Sequence, residues 1–508
     1  MARPGKIPFW TKFNFGFGQI GEAAFSAITL TFVSLYYNQA LGLNINLVGW
    51  ALGLAIFSAA ISAPIVGAFS DRFKSRWGRR HPFLFASAAP LALSLYFLFS
   101  PPEFLRAVKV GAALPPQIPI FIWMVVWNVL ARFFLAVYLV PSVALAAELS
   151  SDYNERTSIF SFQSMFGYAF GTSLSYLAWQ MMAGTSKRAY DGEIVPRHLD
   201  AANYPPLIIL GCCSVLLGIF IRTFGTRKEI SHLDQASDDM PHFSLFAVVR
   251  DIYQTCSFLT DDWRIRWSYG QNRNYLFLLL AVTSVMLSSG LGESIGPYMG
   301  TYYWEFEGAQ LKWFSVAIMI GALLGAWLTP IWIRRFEKRP VCISLIAVYN
   351  IVAPIPVLDR LTGLNILTPA NHTPQLLPFL LVHAAISYHC MSGLGVCVMS
   401  MLADIIDQDT LKTGHVKTAI FYSARGLFSQ ASRSLTILLG GFAMMYLVKM
   451  PVGAVPGKVG MDVINRLGLL FVLRLTGTFA SIFLYAQYRL SRAEQKEIRM
   501  ELEERKRD

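Results

Sequence analysis

The sequence predicts an all-α polytopic membrane protein, with twelve transmembrane helices arranged as two six-helix bundles. Three observations lead there. Hydrophobic residues make up 54% of the 508 and charged residues only 15%, where a soluble domain carries about 25% charged; the mean hydropathy is +0.46. The string Ser70 to Pro82 sets Arg72, Lys74, Arg76, Arg79 and Arg80 between two apolar runs, Leu47 to Phe69 and Phe83 to Phe99. Each run is close to the roughly 20 residues a helix needs to cross a hydrocarbon core about 30 Å thick. Finally, landmarks recur at half the chain length. Pro82 and Pro340, which close two similar basic loops, stand 340 − 82 = 258 residues apart, and Glu148 and Asp404, each after an alanine, stand 404 − 148 = 256 apart.

Apolar spans place the first six helices at 12–37, 47–70, 83–100, 117–146, 158–183 and 204–224, and the second six at 274–300, 311–334, 340–358, 375–404, 417–448 and 466–490. Short loops rich in Lys and Arg are retained in the cytosol. The segments assigned there hold Arg72 to Arg80, Arg222 to Arg273, Arg334 to Arg339 and the tail from Arg489, whereas 38–46 and 359–374 are nearly free of Lys and Arg. An even helix count leaves both termini cytosolic, in a protein integral to the cytoplasmic (plasma) membrane. The domains expected are an N-terminal bundle, 1–224; a cytosolic linker, 225–272; a C-terminal bundle, 273–490; and a helical tail, 491–508. In the linker Leu245, Val248, Val249 and Ile252 fall at helical spacing, which predicts a short interfacial helix. In the tail Glu501 precedes Arg505 by four, as on a solvated helix.

The net charge of +12 resides in loops that the orientation rule already explains, so nucleic acid is not an expected partner. Six cysteines lack the spacing of a zinc site, and no metal or cofactor is expected. No cleaved leader is expected either, since the first helix runs into Tyr36 and Tyr37 without an A-x-A site. There is no HExxH or phosphate-binding loop, so the chain reads as a non-enzyme. Parallel six-helix repeats around a central cavity are the build of the major facilitator superfamily. The partners expected are a small-molecule substrate, protons and membrane lipid, with the protein a monomer.

Four strings narrow this further: KFNFGFGQIG from Lys12, SRWGRRHP from Ser75, PSVALAAELSSDYNERTS from Pro141 and MLADIIDQDTLKTG from Met401. Together, in this order, they resemble the glycoside-pentoside-hexuronide:cation symporter family, over nearly the whole chain. The resemblance implies a secondary transporter moving a glycoside, sugar or sugar acid by alternating access. It also marks departures. The two family aspartates of the second helix fall at Ala59 and Ala63, and a third falls at Leu139. Positions that bind sugar in the family fall at Ala23, Leu139, Val143 and Ser164, and the lysine of the eleventh helix falls at Gln430. A cation needs oxygen ligands and methyl groups offer none, so sodium coupling is not expected, and proton coupling is the expectation in its place. The apolar replacements leave open an amphiphilic or lipid-like carboxylate as substrate. A non-transporting membrane sensor is the alternative from another class.

Ionisable residues inside a membrane mark sites by default. Glu22 and Arg132 fall at similar depth in the first half and are expected to pair or to clamp a polar substrate, with Glu22 as proton carrier; a structural ion pair is the alternative. In the second half the candidates are Glu293, His383, His389, Arg425, Gln430 and Arg433. Arg425 and Arg433 lie eight residues apart on one helix face, suited to an anionic substrate, unless Arg425 snorkels to the interface. Arg474 is expected to snorkel outward. Tyr36, Tyr37, Trp123, Trp127, Tyr298, Tyr302, Tyr303 and Trp304 could stack on a sugar, but most of them read as belt residues at the membrane surface, and only Trp127 with Asn128 as cavity residues. Loop charges form a candidate cytosolic gate: Asp71, Arg72, Arg79 and Arg80 with Glu148, Asp152, Glu155 and Arg156 in the first half, Asp404 and Asp407 in the second.

Overall fold

Long apolar helices follow from the apolar runs. The computed structural model describes residues 7–106, 116–149, 153–188, 192–232, 273–413 and 418–504. Packing groups them into two units. The first holds the described residues up to 232 together with Gly296–Ser315 and Gly440–Gly460, and the second holds the remainder.

In the first unit the opening span, Phe9–Ala40, is two helices, α1 (Phe9–Phe17) and α2 (Gln19–Leu35), interrupted at Gly18. Helix α3 (Ile45–Arg72) starts at Asn44, whose side chain accepts from the Asn46 amide as an N-cap does. Helix α4 (His81–Leu98) carries Pro82 in its first turn, where a missing N–H costs nothing. Helices α5 (Gln117–Glu148), α6 (Tyr153–Met181) and α7 (Tyr204–Gly225) complete it, with a small antiparallel hairpin between α6 and α7, Thr185–Lys187 on Ile194–Pro196. Helix α5 packs on α3 and α4; α6 and α7 pack on α1 and α2.

The second unit is built from α8 (Arg273–Tyr298), α9 (Gly308–Arg335), α10 (Lys338–Val352) with α11 (Ile355–Leu361), α12 (Leu376–Thr413), α13 (Thr418–Ala443), α14 (Met461–Leu473) with α15 (Thr476–Ala486), and the tail helix α16 (Arg492–Glu504). Its core gathers Tyr275, Leu345, Cys397, Met401 and Phe421 from α8, α10, α12 and α13. The outer ends of α8, α9 and α13 belong by packing to the first unit. The interfacial helix expected around Leu245 to Ile252 lies outside the described residues.

Eleven segments among the described residues are long and apolar enough to cross a membrane. The twelfth expected helix is α6, which has the length, 29 residues, but not the hydropathy. Gln163, Ser164 and Ser175 interrupt its apolar character, and all three line a cavity.

Candidate functional site

The interruption at Gly18 creates the site's framework. Where one helix ends and the next begins, backbone carbonyls lose their intrahelical donors and need others. Arg222 of α7, fully buried, supplies one: its Nε donates to the Phe15 carbonyl at 2.8 Å, and Nη1 donates to Ser142 Oγ at 2.6 Å. Tyr138 hydroxyl donates to the Gly18 carbonyl at 2.8 Å. The Arg222 guanidinium also lies over the rings of Phe15 and Tyr138, 4.5 and 5.2 Å from their centroids, within cation–π range. Only glycine fits at 18, because a Cβ there would stand 2.4 Å from Arg222 Nε.

From this anchor a chain of hydrogen bonds reaches a carboxylate. Arg222 Nη2 donates to Gln19 Oε1 at 3.3 Å, and Gln163 Nε2 donates to the same oxygen at 3.0 Å. With its oxygen held by two donors, Gln19 must turn its NH₂ the other way, and it donates to Glu22 Oε2. Glu22 lines a cavity of about 610 Å³ walled by α2, α5 and α6, a volume typical of small-molecule sites. Ser26, Thr31, Gln163 and Tyr168 add polar groups to the wall, and Leu30, Val143 and Phe160 an apolar side. Glu22 is the one carboxylate in that lining.

The sequence-derived candidates fall as follows. Ala23, Val143 and Ser164, three of the four positions aligned with sugar-binding residues, line the cavity with Glu22. Arg132 places its guanidinium 5.5 Å from the centroid of the buried Phe25 ring, outside that lining. Trp127 stacks on Phe97 at 4.5 Å, and Asn128 is buried with neither amide atom hydrogen-bonded among the described residues. In the second unit Arg433 Nη2 and Nε both reach Glu293 Oε2, at 2.7 and 2.8 Å. Gly290 permits this approach of α8 to α13, since a Cβ there would meet the Arg433 carbonyl at 2.6 Å. Arg425 has a buried Nε without a hydrogen-bond partner among the described residues, and Gln430 is exposed. His383 Nε2 lies 3.0 Å from the Val352 carbonyl, and the His389 ring meets Trp332 edge-on at 5.5 Å. Among the described residues no group of His, Cys, Asp or Glu could hold a metal ion.

Two readings are corrected. Arg474 does not snorkel outward: its buried Nε, the Phe471 ring 4.3 Å away and Gly292 of α8 place it inside the second unit. Gly292 leaves it room. Of the residues expected in a surface belt, Tyr36, Tyr37, Tyr298, Tyr302, Tyr303 and Trp304 are buried, and the hydroxyls of Tyr36, Tyr37, Tyr298 and Tyr302 find protein partners. Tyr36 donates to the Phe99 carbonyl at 2.6 Å, Tyr298 to Asn38 Oδ1 at 2.9 Å and Tyr302 to Gln39 Oε1 at 3.0 Å. These residues sit in or beside π-helical turns, Tyr36–Ala40 and Met299–Tyr303, a geometry frequent at functional sites. Gln39 Oε1 also accepts from the Ala454 amide at 2.9 Å. Beside them His198 Nε2 lies 3.1 Å from Thr301 Oγ1, and burial pushes its pKa down to about 3. Neither Gln39 nor Arg222 was foreseen. The π turns leave no mark in the sequence, and an arginine near a helix end looks like the start of a basic loop.

The gate candidates form clusters within each unit. Arg80, buried, binds Asp71 and Glu148, with Nη2 to Glu148 Oε1 at 2.7 Å, and Arg79 reaches the same oxygen at 3.0 Å. Glu155 pairs with Lys12 at 2.8 Å. In the second unit Lys338 binds Asp404, and the tail's Arg499 lies 3.9 Å from Asp404 and 3.4 Å from Asp407. The Arg72 and Arg156 side chains and Asp152 lie outside what is described.

Comparison with known proteins agrees with this architecture. The family model described as MFS/sugar transport protein matches residues 14–490. The isoprimeverose transporter of Lactiplantibacillus pentosus is 20% identical over 442 residues, 86% of this chain and 79% of that one. An uncharacterized symporter of Synechocystis sp., sll1374, is 31% identical over 178 residues, and that match spans 35% of this chain but only 32% of the symporter. A solved bacterial homologue of the iron transporter ferroportin superposes with a TM-score of 0.63 at 11% identity, covering 94% of this chain and 98% of its own, a likeness of fold. The chain is an integral membrane protein and belongs to the MFS/sugar transport family.

Proposed function

We propose that this protein is a proton-coupled carrier of a small polyhydroxylated solute, a glycoside or related sugar, working by alternating access of the bundles 1–224 and 273–490 in the plasma membrane with both termini cytosolic. The carrying observation is that Glu22 is the one carboxylate lining a cavity of about 610 Å³. Its hydrogen-bond donor is the neutral amide of Gln19, so the carboxylate can take up and release a proton without breaking an ion pair. A cavity bordered by Gln163, Ser26 and Thr31 offers the mixed donors and acceptors that sugar hydroxyls need. The relatives named as a sugar transporter and a symporter favour the same reading. Sodium has no evident seat: Ala59 and Ala63 of α3 replace the family's aspartates. On this reading the carrier acts as a monomer, is no enzyme and needs no cofactor, metal or nucleic acid.

The Leu30, Val143 and Phe160 side of the cavity favours a second substrate class, an amphiphilic carboxylate. A thermal-shift screen of the purified protein against neutral pentosides including isoprimeverose, sugar acids and lysolipid carboxylates decides, because a ligand that binds the folded state raises its melting temperature. A neutral glycoside that also exchanges in proteoliposome counterflow is the expected result. Stabilisation by the amphiphiles alone would replace the sugar reading. An uptake rate that responds to a sodium gradient at fixed pH and potential would remove the proton assignment.

A further inference from the structure

At the end of the second unit that carries the basic loop 334–339, the side chains of α9, α10 and α12 enclose a groove of about 390 Å³. Its walls are apolar: Trp332 and Phe336 from α9, and Val341, Leu345 and Val348 from α10. Pro340, Ser344 and Val348 recur every fourth residue, so the groove follows one face of α10 for about 12 Å, at 1.5 Å per residue. Phe336 and Val348 are strongly exposed along it. An apolar groove on a helix that crosses a membrane faces lipid, and by itself would hold any acyl chain.

Two further features give this one a preference. Arg334, Arg335 and Arg339 are exposed and adjoin in sequence the groove residues Trp332, Phe336 and Pro340, while Lys338 is bound to Asp404 and Glu337 is the acid among them; such a cluster is of the kind that recognises anionic headgroups. Inside the groove stands His389. Its ring touches Trp332 edge-on at 5.5 Å and, among the described residues, has no hydrogen-bond partner. An imidazole in a membrane span without a partner is costly, and a lipid ester carbonyl is an acceptor at that depth. Trp332 lies only three residues before Arg335, about 4.5 Å along the helix, so His389 falls just below the cationic rim.

We infer that this groove is a binding site for an anionic phospholipid of the leaflet on the basic side, with its phosphate on the 334–339 arginines, an ester carbonyl accepting from His389, and one acyl chain along the Val341, Leu345 and Val348 face of α10. The site is remote in sequence and unit from the Glu22 cavity, and it stands or falls independently of the transport reading.

The test uses the full chain in detergent and phospholipids with brominated acyl chains, which quench tryptophan fluorescence on contact. The quenchable component is assigned to Trp332 by its loss in Trp332→Phe. Brominated phosphatidylglycerol is expected to quench it at several-fold lower lipid concentration than brominated phosphatidylcholine. His389→Ala is expected to weaken the preference and His389→Gln, which keeps a donor, to restore it; Arg334→Gln with Arg335→Gln and Arg339→Gln is expected to abolish it while leaving quenching by phosphatidylcholine unchanged. Equal quenching by the two lipids, or a preference that survives the triple replacement in a normally folded protein, would overturn the inference.

Discussion

Glu22 of α2 and Glu293 of α8 stand inside apolar helices, one in each unit, and they are held in opposite ways. Glu293 meets a guanidinium, with two nitrogens of Arg433 on one oxygen. Glu22 meets a neutral amide, and the nearest charge in its hydrogen-bond chain, Arg222, stands beyond Gln19. Protonating a carboxylate clamped by arginine discards an ion pair. One held by an amide exchanges a single hydrogen-bond partner. Under the proposed function, Glu22 carries the proton exchange and Glu293 ties α8 to α13.

Replacing each glutamate is the strongest way to break that contrast. Glu22→Gln is expected to reduce proton-driven accumulation to the level seen without a gradient while counterflow persists, both read in proteoliposomes. Arg222→Met comes next. It strips the donors from the Phe15 carbonyl and Ser142 and one of the two donors from Gln19 Oε1, and buried acceptors left unpaired cost about 1–3 kcal/mol each. A marked fall in melting temperature is expected, together with a changed pH profile in whatever folds. Third comes a pH effect that does not belong to Glu22. His198 has its ordinary pKa of 6.5 when unfolded and about 3 when folded, so the unfolded chain binds the extra proton between these values, and stability, full above pH 6.5, declines as pH falls toward 3. At pH 5 the loss is about 2 kcal/mol, and His198→Gln should flatten a melting-temperature series against pH. Smaller again, a double-mutant cycle on Glu293→Gln and Arg433→Gln should give a coupling of about 1 kcal/mol, since both groups are partly solvated. The smallest effect is Arg499→Gln, about 0.5 kcal/mol or less for so exposed a partner.

Much of this was readable before any coordinates. The half-chain offset that relates Glu148 to Asp404 returns as chemistry, because Arg80 binds the one and Lys338 the other. A sequence repeat preserved at helix ends preserves the ion pairs that tie loop to helix. The tail's part in the second cluster was hidden, as nothing in Arg499's neighbours indicates that α16 folds back onto α12. Helix α6 fell below the hydropathy of its fellows for a reason the pattern cannot state: it lines the cavity. Ala23, Val143 and Ser164 were found through family resemblance, whereas the polar groups beside them, Gln19 and Gln163, carried no motif. Arg222 was misread because a charge close to a loop gives no sign of being buried; only the packing of α7 on α1 at Gly18 reveals it.

The most direct measurement compares Glu22→Gln with Glu293→Gln in proteoliposomes at zero potential, following alkalinisation of the medium with a pH dye as the transported glycoside is added. Proton uptake lost in Glu22→Gln and retained in Glu293→Gln is the result this account predicts. Proton uptake that survives Glu22→Gln in a variant still competent for counterflow would contradict it.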